Sequence, residues 1–325
     1  MSHAVVIGAG SWGAAIAAAL VRAGQDVTVL ARRAAQVEAL AAGRCLRLPD
    51  NAAIAPIKAT LDPAVIDHAS LIFVAVPVAA NAENFDLIAM RQQNKPASTI
   101  VLCAKGITVT AGGDAALLPD LAGQYLPTHP LAVFSGPSFA DEVFSGLPAA
   151  LVSAATDSTV ANQVQAAFDG SNLRVYANDD PIGVALAGAM KNVIAIAAGC
   201  AVGAGYGDNA KAAILTRGLA EIARFAVLMG GRPETVFGLA GVGDLALTCA
   251  GPHSRNMAFG MALGRGDKPS PALAEGSRTV GHLARLAAQR KIDLPLTSAV
   301  DKLVNHGQDL HEIVAGLLAR RAGVE

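Results

Sequence analysis

The sequence predicts an N-terminal doubly wound α/β sheet followed by a C-terminal all-helical domain. Three observations carry this expectation. The length, 325 residues, favours two domains. Up to Asn178, short apolar runs with strand character alternate with helical patterns. After Pro181 the apolar spacing is helical almost throughout. Asn178-Asp179-Asp180-Pro181 is a turn and helix start, so the boundary is placed there, with domains at 1–178 and 179–325.

Composition removes several function classes. The chain is 53% hydrophobic and 16% charged, with a net charge of −1, so no basic field invites nucleic acid or an anionic membrane. Aromatics are only 4%, too few for base-stacking platforms. Cys45, Cys103, Cys200 and Cys249 form no Cys-x-x-Cys pair, so neither a zinc site nor a redox dithiol is indicated. MSHAVVIGAG enters a strand pattern directly, without a basic region and apolar signal core. The expectation is a cytoplasmic protein with reduced thiols.

Residues 4–24 read as a buried strand, a glycine turn and an amphipathic helix. Gly8, Gly10 and Gly13 make G-x-G-x-x-G, for a tight turn, a close approach of pyrophosphate and helix-on-strand packing. The N–H groups of Ser11 and Trp12 open a helix whose positive end would face phosphates. Strand before and helix after give the motif its confirming context, so the first domain is read as Rossmann-like and dinucleotide-binding. The second strand, DVTVLARR, ends in Arg32 and Arg33 where an NAD-specific site would place an acid. Arginine suits a 2′-phosphate, so NADPH is the preferred cofactor and NADH the alternative.

Strand character returns at 71–77, 98–106 and 131–140, and again at 147–154 and 173–178 as late strands suited to an antiparallel edge. In such sheets ligands sit beyond the carboxyl ends of the strands, which gathers Pro77, Lys105 and the Gly136–Ser138 turn into one crevice. Ser138 is expected to cap the short helix FADEVF, leaving N–H groups for an anion.

The second half is read as helices at 181–201, 209–229, 233–239, 254–264, 271–290 and 297–319. The first is nearly all apolar, with one charge, Lys191, at its middle. Burial there disfavours the ammonium and suits it to proton transfer. Val184, Ala187, Gly188, Ile194 and Ala195 share its face and are mostly small. A membrane span has the length but not the composition, because a central lysine is costly and Ala and Gly gain little in lipid. GLAGVGDLALTC (238–249) reads as a glycine-rich apolar loop whose one acid, Asp244, can keep an ammonium charged and aim it. Ser254 reads as an N-cap, with Arg255 and Asn256 in the first helical turn, a natural phosphate site. His253 is a bystander, and Glu275 on local grounds is a solvated acid.

GAGSWG, CAKG, SGPSFADE, GAMKNVIAIAAG, NAKAAILTRG, GVGDLALTC, SRN and AEG occur in this order from Gly8 to about Glu275. Together they resemble the bacterial-type NAD(P)-dependent glycerol-3-phosphate dehydrogenases. The resemblance implies interconversion of dihydroxyacetone phosphate and sn-glycerol 3-phosphate, with Lys191 as proton donor or acceptor, in support of phospholipid synthesis. It places Lys105, Gly136, Ser138, Lys191, Asp244, Ser254, Arg255 and Asn256 around the substrate. It places Ser11, Trp12, Arg32, Lys105, Ala140, Arg255 and Glu275 near the cofactor, and Arg33 joins them on charge alone. The partners expected are the small-molecule substrate and a second copy in a homodimer. Nucleic acid, metal and stable membrane insertion are not expected. The rival is a related lysine-dependent two-domain dehydrogenase acting on a hydroxy or keto acid. A nucleotide-sensing protein on the same fold is a third reading, and it has no need of a lysine inside an apolar helix.

Overall fold

A computed structural model describes residues 3–110, 112–270 and 274–319. The strands are β1 (His3–Ile7), β2 (Asp26–Leu30), β3 (Lys58–Thr60), β4 (Leu71–Val74), β5 (Thr99–Leu102), β6 (Ile107–Val109), β7 (Ala115–Leu117), β8 (Leu131–Ser135), β9 (Ala149–Ala154) and β10 (Leu173–Asn178). Eight of them form one sheet in the order β10-β9-β8-β5-β4-β1-β2-β3, while β6 and β7 pair separately. The chain packs as two compact units. One runs to Lys105 and resumes from Leu117 to Ala185; the other takes Gly106–Ala116 and the described residues from Leu186 onward. The division falls inside the helix after Pro181.

The first unit is built on the large sheet. β1 pairs in parallel with β2 and β4, and β4 with β5, so the chain steps outward from β1 to β3 and then crosses back to β4, on the other side of β1, where the strand order reverses. Both faces are covered, as a parallel sheet requires. Ala4 and Val6 of β1 enter one apolar cluster and Val5 and Ile7 the other, the period of two expected of a strand. The covering helices are α1 (Ser11–Arg22), α2 (Ala34–Ala41), α3 (Asn81–Arg91), α4 (Leu118–Tyr125), α5 (Ala140–Ser145) and α6 (Ser158–Ala166). β9 runs antiparallel to β8 and β10 parallel to β9, so both late strands run against the rest of the sheet, the antiparallel edge expected.

The second unit holds α7 (Pro181–Gly203, of which the unit takes Leu186 onward), α8 (Gly207–Leu228), α9 (Pro233–Val236), α10 (Asp244–Thr248), α11 (Arg255–Gly264), α12 (Glu275–Gln289), α13 (Pro295–His306) and α14 (Leu310–Leu318). Asp180 opens α7 by accepting from Gly183 N–H at 2.8 Å, ahead of Pro181 in the first turn. The span expected as one helix from 297 to 319 is two. Gly307 ends the first with φ 64°, and Asp309 caps the second through the N–H groups of His311 and Glu312. The stretch read as a loop at 238–249 is helical: a π-helical turn at Leu239–Gly243 leads directly into α10. The helix expected from 271 begins at Glu275; residues 271–273 lie outside the described residues. The ribbon β6–β7, which packs on α12, was not anticipated within a helical unit.

α7 is long and apolar enough to cross a membrane, yet 89% of that window is buried inside the fold. Its apolar surface is satisfied by protein, as in a core helix.

Candidate active site

In the first unit the glycine turn joins β1 to α1. Gly8 has φ +112°, a conformation glycine favours, and a Cβ on Gly13 would stand 1.9 Å from the Gly8 carbonyl oxygen. The first and third glycines are therefore required by the turn and by the packing of helix on strand. Gly10 differs, because a Cβ there meets nothing within 4 Å. Open space beside Gly10, at the start of a twelve-residue helix with no side-chain cap, fits the close approach of a dinucleotide pyrophosphate. Ser11 is half-buried at that helix start. The Trp12 ring turns inward and stacks on Phe134, with centroids 6.4 Å apart, so its backbone N–H is what faces the helix opening.

Arg32 and Arg33 are exposed just beyond β2. Gln36 braces this corner: its Oε1 accepts from Arg32 N–H at 3.3 Å and its Nε2 donates to the Ala9 carbonyl at 3.1 Å. No local pattern in the sequence marks Gln36, which sits in the first turn of α2.

Lys105, Gly136 and Ser138 converge. Lys105 Nζ and Ser138 Oγ each donate to the Gly136 carbonyl oxygen, both at 3.1 Å. Gly136 has φ +144°, and a Cβ would come within 2.9 Å of Leu151 Cδ2, so the turn that aims this carbonyl excludes other residues. Ser138 does not cap α5. The N-cap is Phe139, without a side-chain hydrogen bond, because the serine hydroxyl is spent on the carbonyl two residues back. Ala140 is the first residue of α5.

In the second unit Lys191 Nζ donates to Asp244 Oδ1 at 2.5 Å and to Thr248 Oγ1 at 2.7 Å. The Thr248 hydroxyl in turn donates to the Asp244 carbonyl at 2.6 Å, which leaves its lone pairs for the ammonium. The lysine side chain retains 9% of its surface against 2% for the aspartate, so both are buried and the lysine is the less enclosed of the two. The face residues Val184, Ala187, Gly188, Ile194 and Ala195 are all buried. Thr248 went unnoticed because 238–249 was read as a loop. On a helix it stands four residues from Asp244 and shares its face. Cys249, beside it, is a thiol pushed up to about 12 by burial, within the opposing fields of Lys191 and Lys211.

Ser254 caps α11 as expected, accepting from Met257 N–H at 3.4 Å. Arg255 follows in the first turn and is exposed. Asn256 is 8% exposed and its amide is engaged at both ends, donating to Asn192 Oδ1 at 3.0 Å and accepting from Gly276 N–H at 2.9 Å. Glu275 is the first residue of α12 and half-buried.

Two family patterns match the chain. That of the NAD-dependent glycerol-3-phosphate dehydrogenase N-terminus covers residues 3–161, and that of the C-terminus covers residues 180–315. The chain is 42% identical over 319 residues to the glycerol-3-phosphate dehydrogenase [NAD(P)+] of Mesorhizobium japonicum, covering 97% of this chain and 91% of that one. The chain belongs to the NAD-dependent glycerol-3-phosphate dehydrogenase family. Another relative in this family, from Agrobacterium fabrum, is 41% identical over 326 residues, covering 97% of each chain. A crystal structure of the Coxiella burnetii glycerol-3-phosphate dehydrogenase matches with a TM-score of 0.89 at 36% identity, covering 98% of this chain and 99% of that one. A ketopantoate reductase from Ralstonia eutropha shares the fold at a TM-score of 0.59 and 17% identity. The keto-acid rival thus shares architecture with this dehydrogenase family and is far more distant in sequence.

Proposed function

We propose that the chain interconverts dihydroxyacetone phosphate and sn-glycerol 3-phosphate with NAD(P)H, with Lys191 as the general acid and base. The observation that carries this reading is the buried ammonium of Lys191, held by Asp244 and Thr248 at the middle of an apolar helix. Bound NAD(P)H would supply the hydride, and the open side of Gly10 with the α1 N-terminus would hold its pyrophosphate. Arg32 and Arg33 would meet a 2′-phosphate, which favours NADPH. Ala140, Arg255 and Glu275 are read as edge contacts to the cofactor.

Reduction turns the ketone oxygen into a developing alkoxide, which needs a proton and a positive environment as it forms. Lys191 Nζ supplies the proton. Asp244 fixes the direction of the ammonium and favours its charged form before transfer. In the reverse direction the same amine accepts the hydroxyl proton. Lys105 adds positive charge, aimed by the Gly136 carbonyl and accompanied by Ser138. Arg255 and the first turn of α11, opened by Ser254, anchor the phosphate, which takes no part in bond changes.

The deciding experiment is NADPH oxidation with dihydroxyacetone phosphate, repeated with NADH and with several keto acids. Turnover on the ketone phosphate supports the reading. Turnover on keto acids alone overturns it in favour of the rival. The working form is proposed to be a cytoplasmic homodimer serving phospholipid synthesis. Exposed Val227, Leu228 and Phe237 in the second unit supply apolar surface for association, and light scattering measures the mass directly.

A further inference from the structure

α7 and α11 meet along a seam with a constant offset. A Cβ on Gly260 would stand 2.2 Å from the Ile196 carbonyl oxygen, and one on Gly264 2.2 Å from that of Cys200. One turn earlier, Asn256 Nδ2 donates to Asn192 Oδ1 at 3.0 Å. The pairs 192/256, 196/260 and 200/264 advance by four on each helix, so the two helices run parallel with backbones in close approach. The glycines bar only one of the two one-turn slips: that slip would set Asn256 against the Ile196 carbonyl oxygen, whereas the opposite one sets Gly264 there. A buried polar pair does choose a register, since a slipped register strands both amides in an apolar contact.

The same bridge continues to a third helix. Asn256 Oδ1 accepts from Gly276 N–H at 2.9 Å, in the first turn of α12, whose N-cap Ala274 offers no side-chain oxygen. A Cβ on Gly276 would lie 2.8 Å from the Asn192 carbonyl oxygen, so α12 sits directly on the bridge. Each member is the immediate successor of a proposed site residue: Lys191, Arg255 and Glu275.

We infer that Asn192 is a positioning residue whose amide locks the register of α7 against α11 and, through Asn256, the start of α12. It thereby sets the spacing of Lys191, Arg255 and Glu275 in a single buried link. A one-turn slip would displace Arg255 from Lys191 by about 5.4 Å, which separates proton donor from phosphate anchor. The kinetic part of this inference rests on the dehydrogenase reading above; the register lock does not.

Two substitutions of similar size separate the lock from mere packing. Asn192→Leu removes the acceptor, and Asn192→Asp keeps it. For Asn192→Leu, kcat/KM on dihydroxyacetone phosphate should fall about 10- to 100-fold, the scale expected for a misplacement near 1 Å, while Asn192→Asp recovers most of the loss. Hydrogen exchange at the Gly276 amide should speed up in Asn192→Leu and stay near wild type in Asn192→Asp. If Asn192→Leu does not fold, Asn192→Ala is read in its place. Wild-type exchange at Gly276 in the leucine or alanine variant overturns the lock, whatever the wild-type enzyme turns over. Altered exchange with unchanged kcat/KM overturns the positioning role. Absence of wild-type turnover on the ketone phosphate counts against the dehydrogenase reading alone and leaves the exchange result to decide the lock.

Discussion

The two units carry their chemistry in different materials. In the first, the dinucleotide end is made of backbone: a turn with φ +112° at Gly8, an open side at Gly10 and a helix N-terminus without a side-chain cap. In the second, the proposed reactive end is made of buried side chains: an ammonium, a carboxylate and a hydroxyl within hydrogen-bonding distance. Shape is lost by adding atoms, whereas a buried charge array is lost by removing them. The two regions should therefore fail in opposite ways, and the experiments below set one against the other.

The largest effect belongs to Lys191. Lys191→Met should lower kcat by about 10²- to 10⁴-fold, the range for a lost general acid. It should also destabilise the fold by about 3–5 kcal/mol, because the buried Asp244 carboxylate loses its ammonium partner. Adding Asp244→Leu should recover stability in a melting experiment without recovering turnover. Recovery of both would make the pair structural.

Next comes the glycine turn. Gly13→Ala puts a Cβ 1.9 Å from the Gly8 oxygen and should cost about 1–3 kcal/mol in stability. Gly10→Ala should leave the melting midpoint unchanged and raise the NADPH dissociation constant about tenfold, ~1.4 kcal/mol. Equal melting losses in the two variants would erase the distinction between packing glycine and ligand glycine.

An effect of similar size is expected at Arg255. Arg255→Ala should reduce kcat/KM about 10- to 100-fold on dihydroxyacetone phosphate, the worth of a charge-assisted hydrogen bond, and much less on unphosphorylated dihydroxyacetone. Equal losses on both substrates would remove the phosphate-anchor role.

The smallest effect concerns a buried acid outside the site. Glu221, 3% exposed, accepts from the N–H groups of Leu296 and Thr297 and from the Thr297 hydroxyl, and so opens α13. Burial nevertheless pushes its carboxyl above the ordinary glutamate value. A folded-state value above the unfolded one means the folded chain binds the proton more tightly. Its stabilising contribution is thus full below the unfolded value and is lost as pH rises through the folded one. Denaturant titrations of wild type and Glu221→Gln across the acidic range should show the wild type losing stability relative to the variant as pH rises. A pH-independent difference would mean the three donors cancel the desolvation.

What the sequence disclosed divides along the same line. The glycine turn, the strands β1, β2, β4, β5, β8, β9 and β10 and most helices from Pro181 are legible, because local periodicity and backbone demands are written in adjacent residues; the short strands β3, β6 and β7 are not. Ser254 as a cap was legible for the same reason. Ser138 was misread, because its hydroxyl chose the Gly136 carbonyl over the helix behind it, a competition that composition does not reveal. Thr248 was missed because the glycines of 238–243 look like a loop and fold as a π-helical turn. The amide bridge Asn192–Asn256–Gly276 joins three distant segments, and no local pattern predicts which side chains meet.

The π-helical turn at Leu239–Gly243 has one further consequence, for anyone editing this chain. Such a turn stores an extra residue relative to the α-helix that follows it. Deleting one residue there is absorbed as the turn tightens to ordinary helix, and Asp244 keeps its place. A deletion between Asp244 and Thr248 has no such slack: it turns one against the other by about 100° and breaks the shared face that holds the ammonium. The turn is where this segment can give up length, and α10 is where it cannot.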